Sequence, residues 1–268
     1  MKTNNQLLRI AQIAAIEAGK EIMKIYETDF EVNFKDDDSP LTQADQRSNQ
    51  VILSYLQDLG IPMISEENKL VSYEERKDWN RFWMIDPLDG TKEFIKKNGE
   101  FTVNIAFIEN GIPVMGVIYV PVKLELFYGN ENGAFKMENV ENIEHLDQNV
   151  AVRLHGKSPQ SEVVVVASRS HLTPETEEFI QKIKNTEGVE SVDSISAGSS
   201  LKICMVAEGK ADVYPRYAPT MEWDVAAGHG ICHAAGVKIL QAGKKEELQY
   251  NKENLLNPWF VVGDRFGS

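Results

Sequence analysis

The sequence has 268 residues, of which 42% are hydrophobic and 26% are charged. This length and composition are typical of a globular chain with a sizeable core, in one large domain or two closely associated ones. The 41 acidic residues outnumber the 28 basic ones and give a formal net charge of −13, which argues against a nucleic-acid polymer as partner. An anionic small substrate would therefore need metal ions or a local basic pocket.

The first 19 residues predict an amphipathic helix rather than a secretion signal, and no apolar run is long enough to span a bilayer. The two cysteines, Cys204 and Cys232, lack CxxC spacing and lie in apolar patterns of helical period. We expect them to be buried free thiols, as in a reducing cytosol, and we therefore expect a cytoplasmic protein.

Two helices are predicted near the start of the chain. Apolar residues recur every three or four positions over residues 7–25 and again over residues 44–59. Between these stripes, residues 30–40 are polar and acidic and predict a loop. Thr42 and Asp45 fit a capping box at the start of the second helix, which is sufficient by itself to explain Asp45.

A short strand is predicted at residues 61–64, and it leads directly into Ser65, Glu66 and Glu67. Glutamates that follow a strand are usually solvated, so this pair means little without further context.

The sequence DPLDGT follows an apolar run at residues 82–85 and puts two carboxylates, Asp86 and Asp89, three positions apart. The run predicts a short buried strand. Because Pro87 has no N–H for a central ladder and Gly90 permits unusual backbone angles, we predict that the strand ends at Asp86. Neighbouring carboxylates repel each other unless a proton or a cation intervenes, and hard oxygen ligands suit Mg²⁺. The alternative is a turn in which both side chains bond backbone amides.

Further β-rich runs predict an antiparallel meander, which makes the first half an α+β layer. These runs cover residues 101–108, 113–120 and 124–128. A polar stretch at residues 138–161 then predicts a boundary, and we divide the chain into residues 1–150, which contain the two DPLDGT carboxylates, and residues 151–268.

The second half alternates strands and helices, which is typical of an α/β layer stacked on the first half. The predicted strands cover residues 163–166, 189–194, 211–215 and 237–240. The predicted helices cover residues 174–184 and 199–208, and a third begins near Trp223 and Asp224.

The third of these helices is rich in alanine and glycine over residues 226–235, which allows close packing against another backbone. Asp224 lies in its first turn, where the helix dipole favours a negative charge. This dipole role explains Asp224 by itself, although the same position also suits a metal ligand. His229 and His233 are better explained as helix-face residues than as zinc ligands, because no acidic third ligand is nearby in sequence.

Together these motifs resemble the lithium-sensitive, Mg²⁺-dependent phosphatases of the inositol monophosphatase superfamily. The matching elements, in order, are Asp45, SEE at 65–67, DPLDGT at 86–91 and WDVAAG at 223–228. Finer matches resemble bacterial CysQ-type 3′(2′),5′-bisphosphate nucleotidases; they are SPLTQADQRSN, DPLDGTKEFIKKNGEFTVNIA, VVASRSH, SLKICMVAEGKADVYPR and PTMEWDVAAG. The resemblance implies the layered αβαβα sugar-phosphatase fold of that superfamily.

The resemblance also implies two Mg²⁺ ions, with a third that some members hold more weakly. Glu66, Asp86 and the backbone carbonyl of Leu88 would hold one ion. Asp86, Asp89 and Asp224 would hold the second, with Asp86 bridging the two, and Glu66 and water would be among the ligands of the third. Two ions about 4 Å apart clamp the phosphate, lower the pKa of a bound water and neutralise the leaving alkoxide.

Asp45 and Thr91 would, by the same resemblance, orient and deprotonate the attacking water, with Glu66 as a further catalytic residue. The implied substrate contacts are Asp89, Gly90, Thr91, His171, Ser199, Lys202, Arg216 and Asp224. The basic groups among them would hold a 5′-phosphate while the metals act on the 3′-phosphate. The alternative is that Lys202 and Arg216 are solvated surface charges.

The implied reaction is Mg²⁺-dependent hydrolysis of the 3′-phosphate of adenosine 3′,5′-bisphosphate (PAP) to AMP and phosphate, with the sulfated analogue PAPS as another substrate. Such an enzyme clears the by-product of sulfate activation. Two alternatives are hydrolysis of inositol or another sugar monophosphate by the same metal site, and a catalytically inert nucleotide-binding sensor. The sequence leaves monomer and homodimer open, and only the resemblance suggests a peripheral association with the inner membrane.

Overall fold

The computed structural model describes residues 2–29, 32–34, 40–158, 160–168, 173–263 and 265–266. Its helices are α1 (Asn4–Tyr26), α2 (Gln43–Leu56), α3 (Tyr73–Arg76), α4 (Thr91–Ile95), α5 (His145–Gln148), α6 (Pro174–Lys184), α7 (Leu201–Ala207) and α8 (Glu222–Ala235). Its strands are β1 (Val32–Phe34), β2 (Pro40–Thr42), β3 (Met63–Ser65), β4 (Arg81–Asp89), β5 (Thr102–Glu109), β6 (Ile112–Val120), β7 (Glu125–Asn130), β8 (Gly133–Met137), β9 (Val152–Leu154), β10 (Glu162–Ser168), β11 (Ser191–Ala197), β12 (Tyr214–Arg216), β13 (Ile239–Gln241) and β14 (Phe260–Val262).

A seven-stranded sheet, in the order β3 to β9, forms the centre of the structure. β3 and β4 are parallel, and every later pair is antiparallel, which confirms the predicted meander and extends it by two strands. The division of the chain after residue 150 stays a prediction; β9, just beyond it, is the last strand of this sheet.

Layers of helix and second sheet complete the architecture. α1 and α2 pack against one face of the central sheet, and α8 packs against the other, with α7 beside it. Beyond α7 lie the parallel pair β10–β11 and the three strands β12–β14–β13, which a bridge between Val165 and Val213 joins. Because Val163 and Val165 pack with Ile183 of α6 while Val166 packs with the α7 and α8 side, this sheet is covered on both faces. The layered αβαβα fold is therefore confirmed.

The small residues of α8 let the helix approach the central sheet closely, as predicted. A Cβ atom added to Gly116 of β6 would lie 1.9 Å from the carbonyl oxygen of Ala227, and one added to Gly230 would lie 2.7 Å from the backbone of Met115. The position of α8 is thus fixed by contacts between main chains.

The prediction that the first carboxylate-bearing strand ends at Asp86 is wrong, because β4 continues to Asp89. Its pairing with β5 shifts register between the pairs Asp86–Asn104 and Asp89–Thr102, so that β4 has one residue more than its partner. Pro87 lies in this bulge, where its missing N–H costs no ladder hydrogen bond.

Cys204 and Cys232 are buried and free, as predicted. Over the part of the chain that is described, no helix combines the length and apolar character needed to cross a bilayer.

Candidate active site

Three carboxylates from separate elements meet at one edge of the central sheet. Glu66 directly follows β3, Asp86 lies on β4, and Asp224 lies in the first turn of α8. One oxygen from each lies within 4.8 Å of the others. These residues are 158 positions apart at the extremes (66 to 224), and the parallel pairing of β3 with β4 and the close packing of α8 bring them together.

The bulge in β4 explains how Asp89 joins this group. Residues three apart on a regular strand point to opposite faces. The one extra residue compensates, so Asp86 and Asp89 point to the same face, as do their partners Asn104 and Thr102, whose side chains share a hydrogen bond of 2.9 Å. The Ser48 hydroxyl donates to the carbonyl of Pro87 over 2.6 Å and ties the bulge to α2.

Asp89 is held by neutral side chains that the sequence analysis did not identify. The Ser200 hydroxyl lies 2.5 Å from Asp89 Oδ2 and 2.9 Å from the backbone carbonyl of Asp224, and it has one proton to donate to either. Asn104 donates to the Ser200 hydroxyl over 2.8 Å and lies 3.4 Å from Asp89 Oδ2. These contacts link Asp89 to the start of α8.

Asp45 uses its two oxygens for different purposes. Oδ2 accepts from the backbone N–H and the hydroxyl of Thr42, both over 2.7 Å, which confirms the predicted capping box. Oδ1 accepts from the Thr91 hydroxyl over 3.3 Å. Asp224 behaves in the same way at the start of α8, since its Oδ2 accepts from the backbone N–H of Met221 over 2.9 Å.

The crowding of acidic groups raises the pKa of two of them. Burial raises the pKa of Asp86 well above its usual value, and the negative charges of Glu66, Asp89 and Asp224 raise it further. Burial, followed by the charges of Asp89 and Glu66, also raises the pKa of Asp224. A divalent cation would relieve this repulsion, and an all-oxygen donor set suits a hard cation such as Mg²⁺. The residues therefore fit a metal ion.

A cleft opens from these carboxylates towards the second sheet. Of the predicted substrate contacts, the lining includes Asp89, Gly90, Ser199, Lys202, Arg216 and Asp224. It also includes Lys92, Tyr214 and Phe260, which the sequence analysis did not identify. His171 lies outside the described residues.

Lys202 is not a solvated surface charge, since it is 5% exposed. Its ammonium donates to the carbonyls of Ser199 and Ala197 over 2.6 and 3.2 Å and lies 5.5 Å from the centre of the Tyr214 ring. Burial lowers the pKa of Lys202 to about 8, against the opposing charge of Asp89. The cleft thus contains a buried cation that loses its charge at a lower pH than an ordinary lysine.

Arg216 is half-buried and donates through Nη2 to the carbonyl of Pro219 over 2.9 Å. Its Nε and the Ser199 hydroxyl are buried and have no hydrogen-bond partner among the described residues. Ser199 also has a φ of 43°, in the left-handed region that non-glycine residues rarely adopt. Unpaired donors in a strained loop beside a cleft are groups that a polar ligand could satisfy.

The two histidines of α8 fit the helix-face interpretation. His229 is buried, with Nδ1 3.0 Å from the Tyr250 hydroxyl, and His233 is exposed.

Comparison with known proteins supplies a family. A sequence model described as the inositol monophosphatase family matches residues 3–261. A relative from Salmonella typhimurium (strain LT2), named 3′(2′),5′-bisphosphate nucleotidase CysQ, is 43% identical over 261 residues, which cover 96% of this chain and 98% of the relative. Its namesake from Escherichia coli (strain K12) is 40% identical over 95% of this chain and 98% of the relative.

Solved structures agree with these relatives. The crystal structure of CysQ from Bacteroides thetaiotaomicron, a bacterial member of the inositol monophosphatase family, is 49% identical, with a TM-score of 0.87 over 98% of each chain. An inositol monophosphatase from Anabaena is 26% identical, with a TM-score of 0.69 over 97% of this chain and 92% of its own.

Proposed function

The chain belongs to the inositol monophosphatase family, and we propose that it is a metal-dependent 3′(2′),5′-bisphosphate nucleotidase that hydrolyses PAP to AMP and phosphate. The observation that carries this proposal is the acidic group Glu66, Asp86 and Asp224, whose member Asp224 lines a cleft together with the cations Lys202 and Arg216. A metal site and a separate cationic site suit a substrate with two phosphates. PAPS, which has the same 3′-phosphate and an additional sulfate on its 5′-phosphate, is proposed as a second substrate.

The proposed metal ligands are Glu66, Asp86, the carbonyl of Leu88, Asp89 and Asp224. Mg²⁺ is the proposed ion, with two ions per site and a third, weaker one. When bound, such ions neutralise phosphate charge and lower the pKa of a water molecule. The chain itself holds the carboxylates in place, through Ser200 at Asp89 and the Met221 amide at Asp224.

Asp45 and Thr91 are the proposed proton acceptors for the attacking water. The Thr91 hydroxyl lies 3.3 Å from Asp45 Oδ1 and 3.5 Å from the Leu88 carbonyl oxygen, and when it donates its proton to Asp45 its own oxygen is able to accept a proton from water. Thr42 holds the other oxygen of Asp45 and fixes the carboxylate in this orientation. Glu66 is proposed as a further catalytic residue beside this pair.

Lys202 and Arg216 are proposed to bind the 5′-phosphate, with Ser199, Gly90 and His171 as further contacts. The unpaired Nε of Arg216 and hydroxyl of Ser199 support this role, because both are donors that a phosphate oxygen could accept from. Added Cβ atoms at Gly90 would come within 3.2 Å of Ser199, so glycine keeps this end of the cleft open.

A small-molecule phosphate is the proposed partner, and a cytoplasmic location is proposed because both cysteines are free thiols. The oligomeric state, monomer or homodimer, is open to measurement by light scattering.

The test is phosphate release from PAP beside inositol 1-phosphate, with Mg²⁺, with EDTA, and in Asp89→Asn. We expect metal-dependent turnover that strongly favours PAP and is abolished in the variant. Preference for inositol 1-phosphate would agree with the proposed metal site and contradict the proposed nucleotide contacts. Failure to turn over either ester with metal bound would favour another phosphate ester or a nucleotide sensor.

Lys202→Ala and Arg216→Ala test the role of the two cations in the cleft separately from the role of the carboxylates. Because their side chains lie in the cleft and outside the carboxylate group, we expect strong loss of PAP turnover while hydrolysis of a small phosphate ester is retained. Equal loss for both substrates would contradict the proposed 5′-phosphate site.

A further inference from the structure

The loop at residues 251–257 is attached to the start of the helix that carries Asp224. Asn257 donates through Nδ2 to the carbonyl of Met221 over 2.8 Å. The backbone N–H of Glu222, the first residue of α8, donates to a carbonyl of the same loop over 2.9 Å. The first turn of α8 therefore cannot shift without moving this loop.

The side chain of Glu222 also binds the loop at residues 251–257. It is fully buried, with an exposed fraction of 0%. Oε2 accepts from the backbone N–H of Asn251 over 2.7 Å, and Oε1 accepts from the backbone N–H of Lys252 over 3.1 Å and from the Lys252 ammonium. A buried carboxylate whose oxygens all bind one loop is well suited to hold that loop in place.

Arg76 binds the other side of the loop. It is 4% exposed, and its guanidinium donates to Asn251 Oδ1 and the Lys252 carbonyl over 2.7 and 2.8 Å, and to the Glu253 carbonyl over 2.9 Å. Asn251 Nδ2 in turn donates to the carbonyl of Arg76 over 2.7 Å. Arg76 lies on α3, ten positions after Glu66 (66 to 76) and before β4.

Asn251 and Lys252 therefore both join two ligand-bearing segments, and of these two residues only Asn251 binds Arg76 through its side chain. Its side-chain amide binds Arg76 on the segment that follows Glu66, and its backbone N–H binds Glu222, two positions before Asp224. Its φ of 69° lies in the left-handed region, which asparagine tolerates better than most residues. We infer that Asn251 is a positioning residue that sets the separation of Glu66 from Asp224, and hence metal affinity; this rests on the proposed function.

Asn251→Gly tests the inference sharply, because glycine keeps the left-handed backbone and the N–H bond to Glu222 and removes only the two bonds to Arg76. The concentration of Mg²⁺ that half-saturates PAP hydrolysis should rise by about tenfold, as for other residues that orient metal ligands. Turnover at saturating Mg²⁺ should be retained. The Mg²⁺ concentration needed for half of the metal-dependent rise in Tm should increase by the same factor, independently of activity.

The matched control is Asn139→Gly, at another asparagine of positive φ, 58°, which is exposed and remote from this loop. It should leave both Mg²⁺ half-saturation values unchanged. If Asn251→Gly does not fold, Asn251→Asp keeps the acceptor for the Arg76 guanidinium but replaces the donor to the Arg76 carbonyl with a carboxylate oxygen that repels it, and it should shift both values in the same direction.

Half-saturation values within twofold of wild type in the folded Asn251 variant would overturn the inference, even if the Tm of the metal-free variant had fallen, since that result indicates a purely structural role. Failure of the proposed function would look different, because the wild-type protein itself would then show neither Mg²⁺-dependent stabilisation nor PAP hydrolysis.

Discussion

The hydroxyl of Ser200 lies 2.5 Å from Oδ2 of Asp89 and joins that carboxylate to the start of α8. Ser200 precedes α7, so a single buried hydroxyl connects β4, α7 and α8 at the point where the acidic residues meet. Ser200 would thus orient the proposed metal ligand Asp89 without binding the metal itself.

Ser200→Ala should therefore weaken the site more than the fold. We expect activity towards PAP, or the affinity for Mg²⁺, to fall by about 10- to 100-fold. The free energy of unfolding should fall by about 1 kcal/mol, as for loss of one hydrogen bond. Steady-state kinetics across Mg²⁺ concentrations and urea unfolding measure the two effects. Ser54→Ala is the control, because the Ser54 hydroxyl bonds the Val51 carbonyl on the exposed side of α2; an equal kinetic loss there would contradict the prediction.

Asp224→Asn should make the metal-free protein more stable while it abolishes turnover. Burial and the charges of Asp89 and Glu66 raise the pKa of Asp224, so ionisation of this carboxyl at neutral pH costs stability in the folded state. A carboxyl with a raised folded pKa contributes stability that is present below its unfolded pKa and lost as pH rises through the folded pKa. Without metal, the ionisation of Asp224 should therefore lower the stability of the wild-type protein as pH rises from the unfolded pKa of this carboxyl towards its raised folded pKa.

Calorimetry in EDTA and in Mg²⁺ checks this expectation. In EDTA at pH 7 the variant should melt a few degrees above wild type, and Mg²⁺ should reverse the order, because only wild type gains stability by binding the ion. The exposed Asp78→Asn serves as control. A variant that melts below wild type in EDTA would show that repulsion among the carboxylates is not the dominant effect.

The KM for PAP should rise as pH increases through about 8, the pKa to which burial lowers Lys202. Only the protonated ammonium attracts phosphate, so the rise should approach a factor of about 10 for each pH unit above the pKa. The folded pKa lies below the ordinary value of 10.5, so deprotonation of Lys202 favours the folded state. The free energy of unfolding should therefore increase as pH rises from about 8 to 10.5. Lys202→Met should show a high KM without this pH dependence; parallel profiles would contradict the assignment.

Gly230→Ala and Gly228→Ala form a matched pair within α8. Both replace a helical glycine, which by propensity alone should stabilise the helix by about 1 kcal/mol. A Cβ at Gly230 would meet the backbone of Met115 at 2.7 Å, whereas the nearest atoms to one at Gly228 belong to the side chain of Ile203, at 2.8 Å, and a side chain yields more readily than a main chain. We expect Gly230→Ala to lower the free energy of unfolding by roughly 1–3 kcal/mol and Gly228→Ala by less. Urea unfolding measures the difference, and the reverse order would contradict it.

Local sequence features predicted much of the fold. The bounds of α6, from Pro174 to Lys184, agree with the prediction, because proline and the preceding threonine mark its start. The capping role of Asp45 is also confirmed. The alternatives considered for Asp45 and Asp224 turn out not to exclude the site interpretation, because a carboxylate has two oxygens and each cap uses one.

Other features depend on contacts between remote parts of the chain and have no local signal. Ser200 and Asn104 meet across 96 positions, and Arg76 and Asn251 across 175. The continuation of β4 past Pro87 was missed because the proline rule applies to regular ladders, and a bulge is an exception that the pairing with β5 decides.

The bulge in β4 has a consequence for how such a site can be altered. In the proposed site, one ligand is the main-chain carbonyl of Leu88, which lies within the bulge. Since every residue has a carbonyl, no single substitution at position 88 removes this oxygen, and a scan of side-chain replacements would leave it undetected. Deleting one of the two residues between Asp86 and Asp89 would restore regular pairing with β5 and keep both carboxylates on one face. The main chain would then have one carbonyl fewer between them. Two related chains could therefore share all the acidic residues and still differ in their affinity for metal, through the length of one strand.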